Sequence, residues 1–279
     1  MKALVTTLGL FFVMAFAVVN AQVFHVVKVQ GNITNLNTGK AIKAGDMVQA
    51  KDRIAFESVS ASMVAIDDNR AKFMIKMPKT DNVDKTSLIV LVSQATMAVK
   101  SRNAFKTRAF NPEQKEVVDL KQYFGSDRFS IIGNQVNVTL SEQMYPLSPD
   151  KFIVFHYNIK DKPVSKKLGF DQQTIKIEAD KLKEVKGETI TTDEIEGVMV
   201  YQYEMPSKNY QEITSFNLLF VDDAALTAEF NTIIPILRTQ KMDDKGIKEY
   251  LVDYYVDFYG VTDSKALSAF IDVVLSKKA

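Results

Sequence analysis

From Val23 to about Lys100, short apolar runs alternate with polar residues at the two-residue period of half-buried strands. VFHVVKV is β-branched and aromatic, and RIAFE follows a turn. KFMIKM puts Phe73, Ile75 and Met77 on one face and Lys72, Met74 and Lys76 on the other. Asp67 to Arg70, DDNR, lies between two such runs and predicts a hairpin turn. SLIVLV is apolar on both faces and predicts a central strand.

The period changes at NPEQKEVVDLKQYFG. Asn111 is placed to cap a helix, Pro112 suits its first position, and Val117, Leu120 and Phe124 fall on one face before Gly125. This predicts a helix from about Pro112 to Phe124 connecting two domains. From Arg128 to Val221 seven short runs follow: RFSII, QVNVTL, FIVFHYNI, KKLGF, TIKIEA, GVMVYQYEM and ITSFNLLFV. Their number and spacing predict an immunoglobulin-like β-sandwich. The chain has no cysteine pair and no tryptophan, so another sandwich topology stays open.

After Val221 the helical period returns. Asp222 or Asp223 can cap a helix through Leu226, Phe230 and Ile233, which Pro235 is expected to kink or divide. A second helix carries Ile247, Leu251, Tyr254 and Phe258 on one stripe and ends at Gly260. A third, capped by Thr262 or Asp263, turns Leu267, Phe270, Ile271 and Val274 inward.

In the first region, Gly39 to Ser58 reads GKAIKAGDMVQAKDRIAFES. Gly31 and Gly45 suit tight corners, and Asp46 and Asp52 can bond to nearby backbone N–H groups, Asp46 to those just after it. The series Val29-Gln30-Gly31 with Ile33, Ile42 to Val48, Lys51 to Ile54 with Phe56, Ala61 to Asp67 and Phe73 to Ile75 resembles the FecR-like periplasmic β domain over about residues 26–80. The resemblance implies a β meander and a place in a bacterial envelope, often in contact with another protein. Where the family often has Asp-Gly-Ser, this chain has Asp67-Asp68-Asn69-Arg70. FecR-type regulators also carry a cytoplasmic anti-sigma segment before their membrane helix; here Lys2 and Ala3 alone precede the apolar run.

That run, Leu4 to Val19, follows Lys2 and precedes Val19-Asn20-Ala21, the order of a secretory signal peptide cleaved after Ala21. It is short for a membrane span, and no later segment is long and apolar enough for one. Loss of Lys2 from the 35 basic residues balances the 34 acidic ones. A neutral mature chain offers no electrostatic case for nucleic acid. The absence of cysteine removes disulfides, thiolate nucleophiles and thiolate metal sites. The predicted organisation is mainly β with α: a signal peptide (1–21), a FecR-like β domain (22–105), a helical connector (106–127), an immunoglobulin-like sandwich (128–221) and C-terminal helices (222–279).

Candidate chemistry is sparse. His25 and His156 lie in separate strands without metal-ligand spacing or a nucleophile partner. The pairs Asp67-Asp68, Asp222-Asp223 and Asp243-Asp244 sit at predicted turns and caps, and Ser165 to Lys167 reads as solvated surface. No catalytic, cofactor or metal residues are assigned. The second C-terminal helix has more aromatics than one stripe buries. Tyr255 and Tyr259, four apart, are expected to form a ridge beside the stripe and, with Tyr250, to offer a partner surface; plain helix packing is the competing expectation. The expected function is a non-enzymatic periplasmic or secreted adaptor or scaffold that binds an envelope protein. The alternatives are an envelope sensor related to FecR-type regulators and a carboxylate-dependent hydrolase.

Overall fold

The computed structural model describes residues 22–78, 85–95, 115–159, 162–185, 187–190 and 194–277. The expected signal peptide and the Asn111 and Pro112 positions therefore lie outside the described residues. The chain is mainly β, with several sheets and C-terminal helices, and divides into two compact units: Met1–Ser101 with Asn231–Ile236, and Arg102–Phe230 with Leu237–Ala279.

The first unit contains β1 (Val23–Gln30), β2 (Ile33–Asn35), β3 (Lys40–Ala41), β4 (Met47–Gln49), β5 (Ile54–Phe56), β6 (Ser62–Asp67), β7 (Lys72–Lys76) and α1 (Leu88–Gln94). An antiparallel sheet runs β4-β1-β6-β7, and a smaller one runs β3-β2-β5. Both bury alternate side chains in one core, including Phe24, Val26, Ile33, Ile54, Met63 and Ile75. The Asp67–Arg70 hairpin forms as expected: the Arg70 N–H donates to the Asp67 carbonyl (2.9 Å), and the Ala71 N–H donates to Asp67 Oδ1 (2.8 Å).

Corner chemistry holds this unit in register. Gly45 has φ +91°, a conformation a Cβ disfavours. Asp46 Oδ2 accepts from the Lys43 N–H at 2.8 Å, three residues before it rather than after it as expected. Asp52 Oδ2 accepts from the Gln49 N–H at 2.9 Å and from the Asn35 amide at 3.1 Å, tying two corners together. These residues of the quoted stretch are thus spent on turns.

SLIVLV departs from expectation. Leu88 to Gln94 form a helix, with Leu88, Leu91, Val92 and Ala95 buried. Positions i, i+3, i+4 and i+7 are the helical stripe, which a short all-apolar run conceals because either period fits it.

The second unit begins with α2 (Leu120–Phe124). Asp119 caps it by accepting from the Gln122 N–H (3.0 Å). The helix is described over five residues. Val117, expected on its inner face, instead bridges in parallel to Leu140. Leu120 and Phe124 are fully buried in the core of this unit, so the segment is packed within it. Phe124 stacks on Phe216 (4.6 Å) and meets Phe129 (5.0 Å) and Phe155 (5.8 Å) edge-on, the arrangements aromatic quadrupoles favour.

The strands are β8 (Arg128–Ile132), β9 (Gln135–Thr139), β10 (Lys151–Ile159), β11 (Lys162–Lys167), β12 (Gly169–Asp171), β13 (Thr174–Glu178), β14 (Glu184–Val185), β15 (Glu188–Thr189), β16 (Glu194–Glu204) and β17 (Asn209–Val221), with α3 (Ala179–Lys183) after β13. After β17 come α4 (Asp223–Thr239), α5 (Asp244–Tyr259), β18 (Val261–Thr262) and α6 (Ser264–Ser276). A six-stranded sheet runs β11-β10-β16-β17-β8-β18, a three-stranded sheet runs β12-β13-β9, and β14 pairs with β15. Inward residues of the two larger sheets share one core: Ile153, Phe155, Val198 and Leu218 from one, Val136, Val138, Ile175 and Ile177 from the other. The expected KKLGF strand is divided at Leu168, which is buried where the chain passes from one sheet to the other. Two pairs are parallel, β17 with β8 and β8 with β18.

The helices cap as their aspartates predict. Asp222, Asp243 and Asp263 accept from the N–H groups of Ala225, Gly246 and Ala266 at 2.7, 2.8 and 2.8 Å. Pro235 does not divide α4, which runs unbroken to Thr239. The Pro235 ring lies on an exposed side of the helix.

Candidate ligand-binding groove

The aromatic helix α5 is rotated from its expected setting. Its buried stripe is Ile247, Leu251, Tyr254, Tyr255 and Tyr259, and Phe258 is only partly buried. The Tyr255–Tyr259 ridge, expected beside the stripe, is therefore interior: Tyr255 is fully buried and Tyr259 is 8 % exposed. The cause is β8, whose Phe129 and Ile131 enter the inter-sheet core while the intervening Ser130, also buried, needs a polar partner on its other side. Ser130 Oγ lies 2.9 Å from the Tyr255 hydroxyl.

The remaining buried tyrosines converge on Glu229 of α4. Tyr254 and Tyr259 donate to its two carboxylate oxygens at 2.9 and 2.6 Å. Burial first, then the Glu229 charge, pushes both phenols well above the ordinary tyrosine range; burial does the same to Tyr255. Tyr250 is half-buried and alone of the three named tyrosines keeps substantial surface.

His25 Nε2 lies 3.2 Å from Asp68 in the first unit, and His156 belongs to the second. Among the described residues no three His, Asp or Glu side chains are grouped so as to hold a metal ion.

The strands of the six-stranded sheet build a different feature on its outer face. In β10, Ile153, Phe155 and Tyr157 point inward, which turns Phe152, Val154 and His156 outward. In β16, inward Val198 and Val200 turn Met199, Tyr201 and Tyr203 outward. Register brings Tyr210 of β17 opposite Tyr203, and Ser165 and Lys167 of β11 opposite His156 and Val154. A shift in the β16–β17 register between Val200 and Tyr201 leaves Ile213 as an extra residue, a bulge that adds local twist. The result is a groove of about 550 Å³.

Its walls are aromatic. The Tyr201 and Tyr210 rings stand perpendicular with centroids 5.5 Å apart, and Tyr210 is 71 % exposed. Phe152 lies 5.6 Å from Tyr203 and carries the Lys167 ammonium over its ring at 3.7 Å. His156 Nδ1 is 2.8 Å from Ser165 Oγ, and its ring meets Tyr201 at 6.4 Å. Burial, then Glu212 and Tyr210, raises the Tyr201 phenol above its ordinary value. A concave, mainly apolar surface with a few polar tips is the usual composition of a ligand site, and this volume lies within the usual range. The described lining contains no carboxylate.

Sequence reasoning missed this groove and set Ser165 to Lys167 aside as solvated surface. The signal was present in FIVFHYNI and GVMVYQYEM: both faces of β10 and β16 are apolar or aromatic, although only one faces the core. Neither the protein-family models nor the curated proteins contain a match to this chain.

Proposed function

We propose that this chain is a non-enzymatic protein of a bacterial envelope that works by binding, as an adaptor or scaffold. The groove on the six-stranded sheet supplies one of its contacts and an envelope protein the other. The observation that carries this reading is the Tyr201–Tyr210 corner, two perpendicular rings left open on a sheet face that contains no carboxylate in its groove. Exposed tyrosines offer large contact area at little entropic cost, which suits recognition. The envelope address rests on the apolar run from Leu4 to Val19 and its small-residue end. The FecR-like reading of residues 26–80, and the assignment of the second unit to the immunoglobulin-like sandwiches, belong to the same proposal. The sheet pair and the count of longer strands support that assignment; β8 and β18, parallel to their neighbours, are additions to it.

The test is retention in the native envelope. The parent chain is expected to stay with the envelope fraction after osmotic release. Tyr201→Ala combined with Tyr210→Ala should free it without changing its melting temperature. Equal retention of parent and double variant rejects the groove as a binding surface. N-terminal sequencing of the native protein should find Gln22, and finding Met1 instead rejects the cleaved leader.

A further inference from the structure

We infer that the groove takes acidic carbohydrate, a chain of hexuronic acid rings, an inference that rests on the groove being a recognition surface. Three features of the lining point to this class. The perpendicular Tyr201 and Tyr210 rings form a corner, so the apolar face of a sugar ring can lie on one while its edge meets the other. Polar tips surround that corner. The Tyr203 and Tyr210 hydroxyls and His156 Nε2 have no hydrogen-bond partner among the described residues, and each is placed where a ring hydroxyl can reach. The third feature is charge. Lys167 is the only formally charged residue in the described lining; from β11 its ammonium reaches over the Phe152 ring and donates to the Pro149 carbonyl at 3.3 Å, which leaves further N–H donors for a ligand.

Beyond that end lies a smaller depression of about 280 Å³, where Lys166, Lys176 and Lys181 accompany Lys167 against Glu178 and Glu184. The β17 side carries Glu212, opposite Tyr201. Positive charge is thus in excess at the β11 end, which would orient a carboxylate toward β11 and a neutral ring toward the tyrosine corner. An extended acidic peptide fits less well. The floor strands β10 and β16 pair on both sides, so their backbone groups are committed to ladders. Edge strand β11 is guarded by Lys162, Pro163, Lys166 and Lys167, residues that discourage addition of another strand. Recognition by ring faces and side-chain tips therefore matches this surface better than recognition by backbone pairing.

The test is calorimetric titration of the purified full chain with trimers of galacturonate, glucuronate and mannuronate, a neutral galactose trimer, and a glutamate hexapeptide. At least one uronate trimer is expected to bind at least tenfold more tightly than the neutral trimer or the peptide. That affinity should fall at least tenfold in Tyr210→Ala and in Lys167→Gln, and it should weaken with added salt. Neutral sugar binding as tightly as every uronate, peptide binding more tightly, or no binding by any of the three uronates overturns the inference. If the uronates fail while Tyr201→Ala/Tyr210→Ala still releases the chain from the envelope, only the ligand class is wrong. If that variant is also retained, the groove itself is not the recognition surface.

Discussion

The hydroxyls of Tyr255 and Ser130 meet 2.9 Å apart in the interior, joining the middle of α5 to the outer side of β8. Ser130 Oγ also lies 3.2 Å from the Val261 carbonyl, so one small side chain links helix, strand and edge strand. Tyr255→Ala should lose about 3–5 kcal/mol of unfolding free energy, the usual cost of truncating a buried aromatic. Tyr255→Phe, which keeps the ring and removes one bond, should lose about 1–2 kcal/mol. Urea denaturation of the two variants checks this. Near-parental stability of the alanine variant would place the ring at the surface.

Glu229 is 4 % exposed and satisfies two phenols at once. Glu229→Ala removes the carboxylate that both hydroxyls donate to, at about 1–3 kcal/mol for each buried group left unsatisfied. Glu229→Gln keeps one carbonyl acceptor and should cost less. A double-mutant cycle with Tyr259→Phe should return a coupling of roughly 0.5–3 kcal/mol, as for residues sharing one network. Additive effects would mean that the bond contributes nothing.

Alkaline pH should weaken the fold. An unfolded tyrosine loses its proton near pH 10. In the folded chain burial pushes the Tyr157 phenol up to about 12, and burial, then the Glu229 charge, raises Tyr254 and Tyr259 well above their ordinary value. Above pH 10 the unfolded chain therefore binds fewer protons than the folded one. The stabilising effect is complete below pH 10 and declines as pH rises, by up to about 1.4 kcal/mol per pH unit for each such group. Denaturation curves between pH 8 and 11.5 should show this slope, and Tyr255→Phe, which removes one further phenol raised by burial, should make it shallower. A flat profile would mean that these phenols titrate as they do in water.

Gly31 and Gly39 share a left-handed φ, +71° and +70°, but differ in surroundings. A Cβ on Gly31 would lie 3.0 Å from the Ala61 Cβ, whereas one on Gly39 meets nothing within 4 Å. Gly39→Ala should cost about 1–2 kcal/mol for the backbone alone. Gly31→Ala should cost more, and Gly31→Ala with Ala61→Gly should recover the difference. Thermal melts of the three variants measure it; equal losses for the two single variants would remove the steric contribution.

Elements with a clear period and a chemical stop were legible in the chain. The β6–β7 hairpin followed from alternation around DDNR, and α4 to α6 followed from their stripes and aspartate caps. Leu88 to Gln94 was misread because an uninterrupted apolar run has no period to read. The helical setting of α5 was out by part of a turn for a different reason. Tyr255 looks amphipathic in isolation, and only Ser130, far away in sequence, makes it the residue that faces inward. The groove was hidden because it is a property of register: Tyr210 joins Tyr201 and Tyr203 only once β16 and β17 are paired, with a bulge between them.

Strand β8 is completed from far down the chain. Phe129 and Ser130 pair with Val261 and Thr262, and the Ser130 side chain bonds to a carbonyl 131 positions later. Such a contact carries a large loop-closure cost before it returns any stabilisation, which slows folding. During synthesis, the Ser130 hydroxyl and one edge of β8 must wait for almost the whole of the second unit to emerge. A nascent chain stalled before residue 261 would therefore display an unpaired strand edge beside an uncovered polar group, the kind of surface on which holding chaperones act.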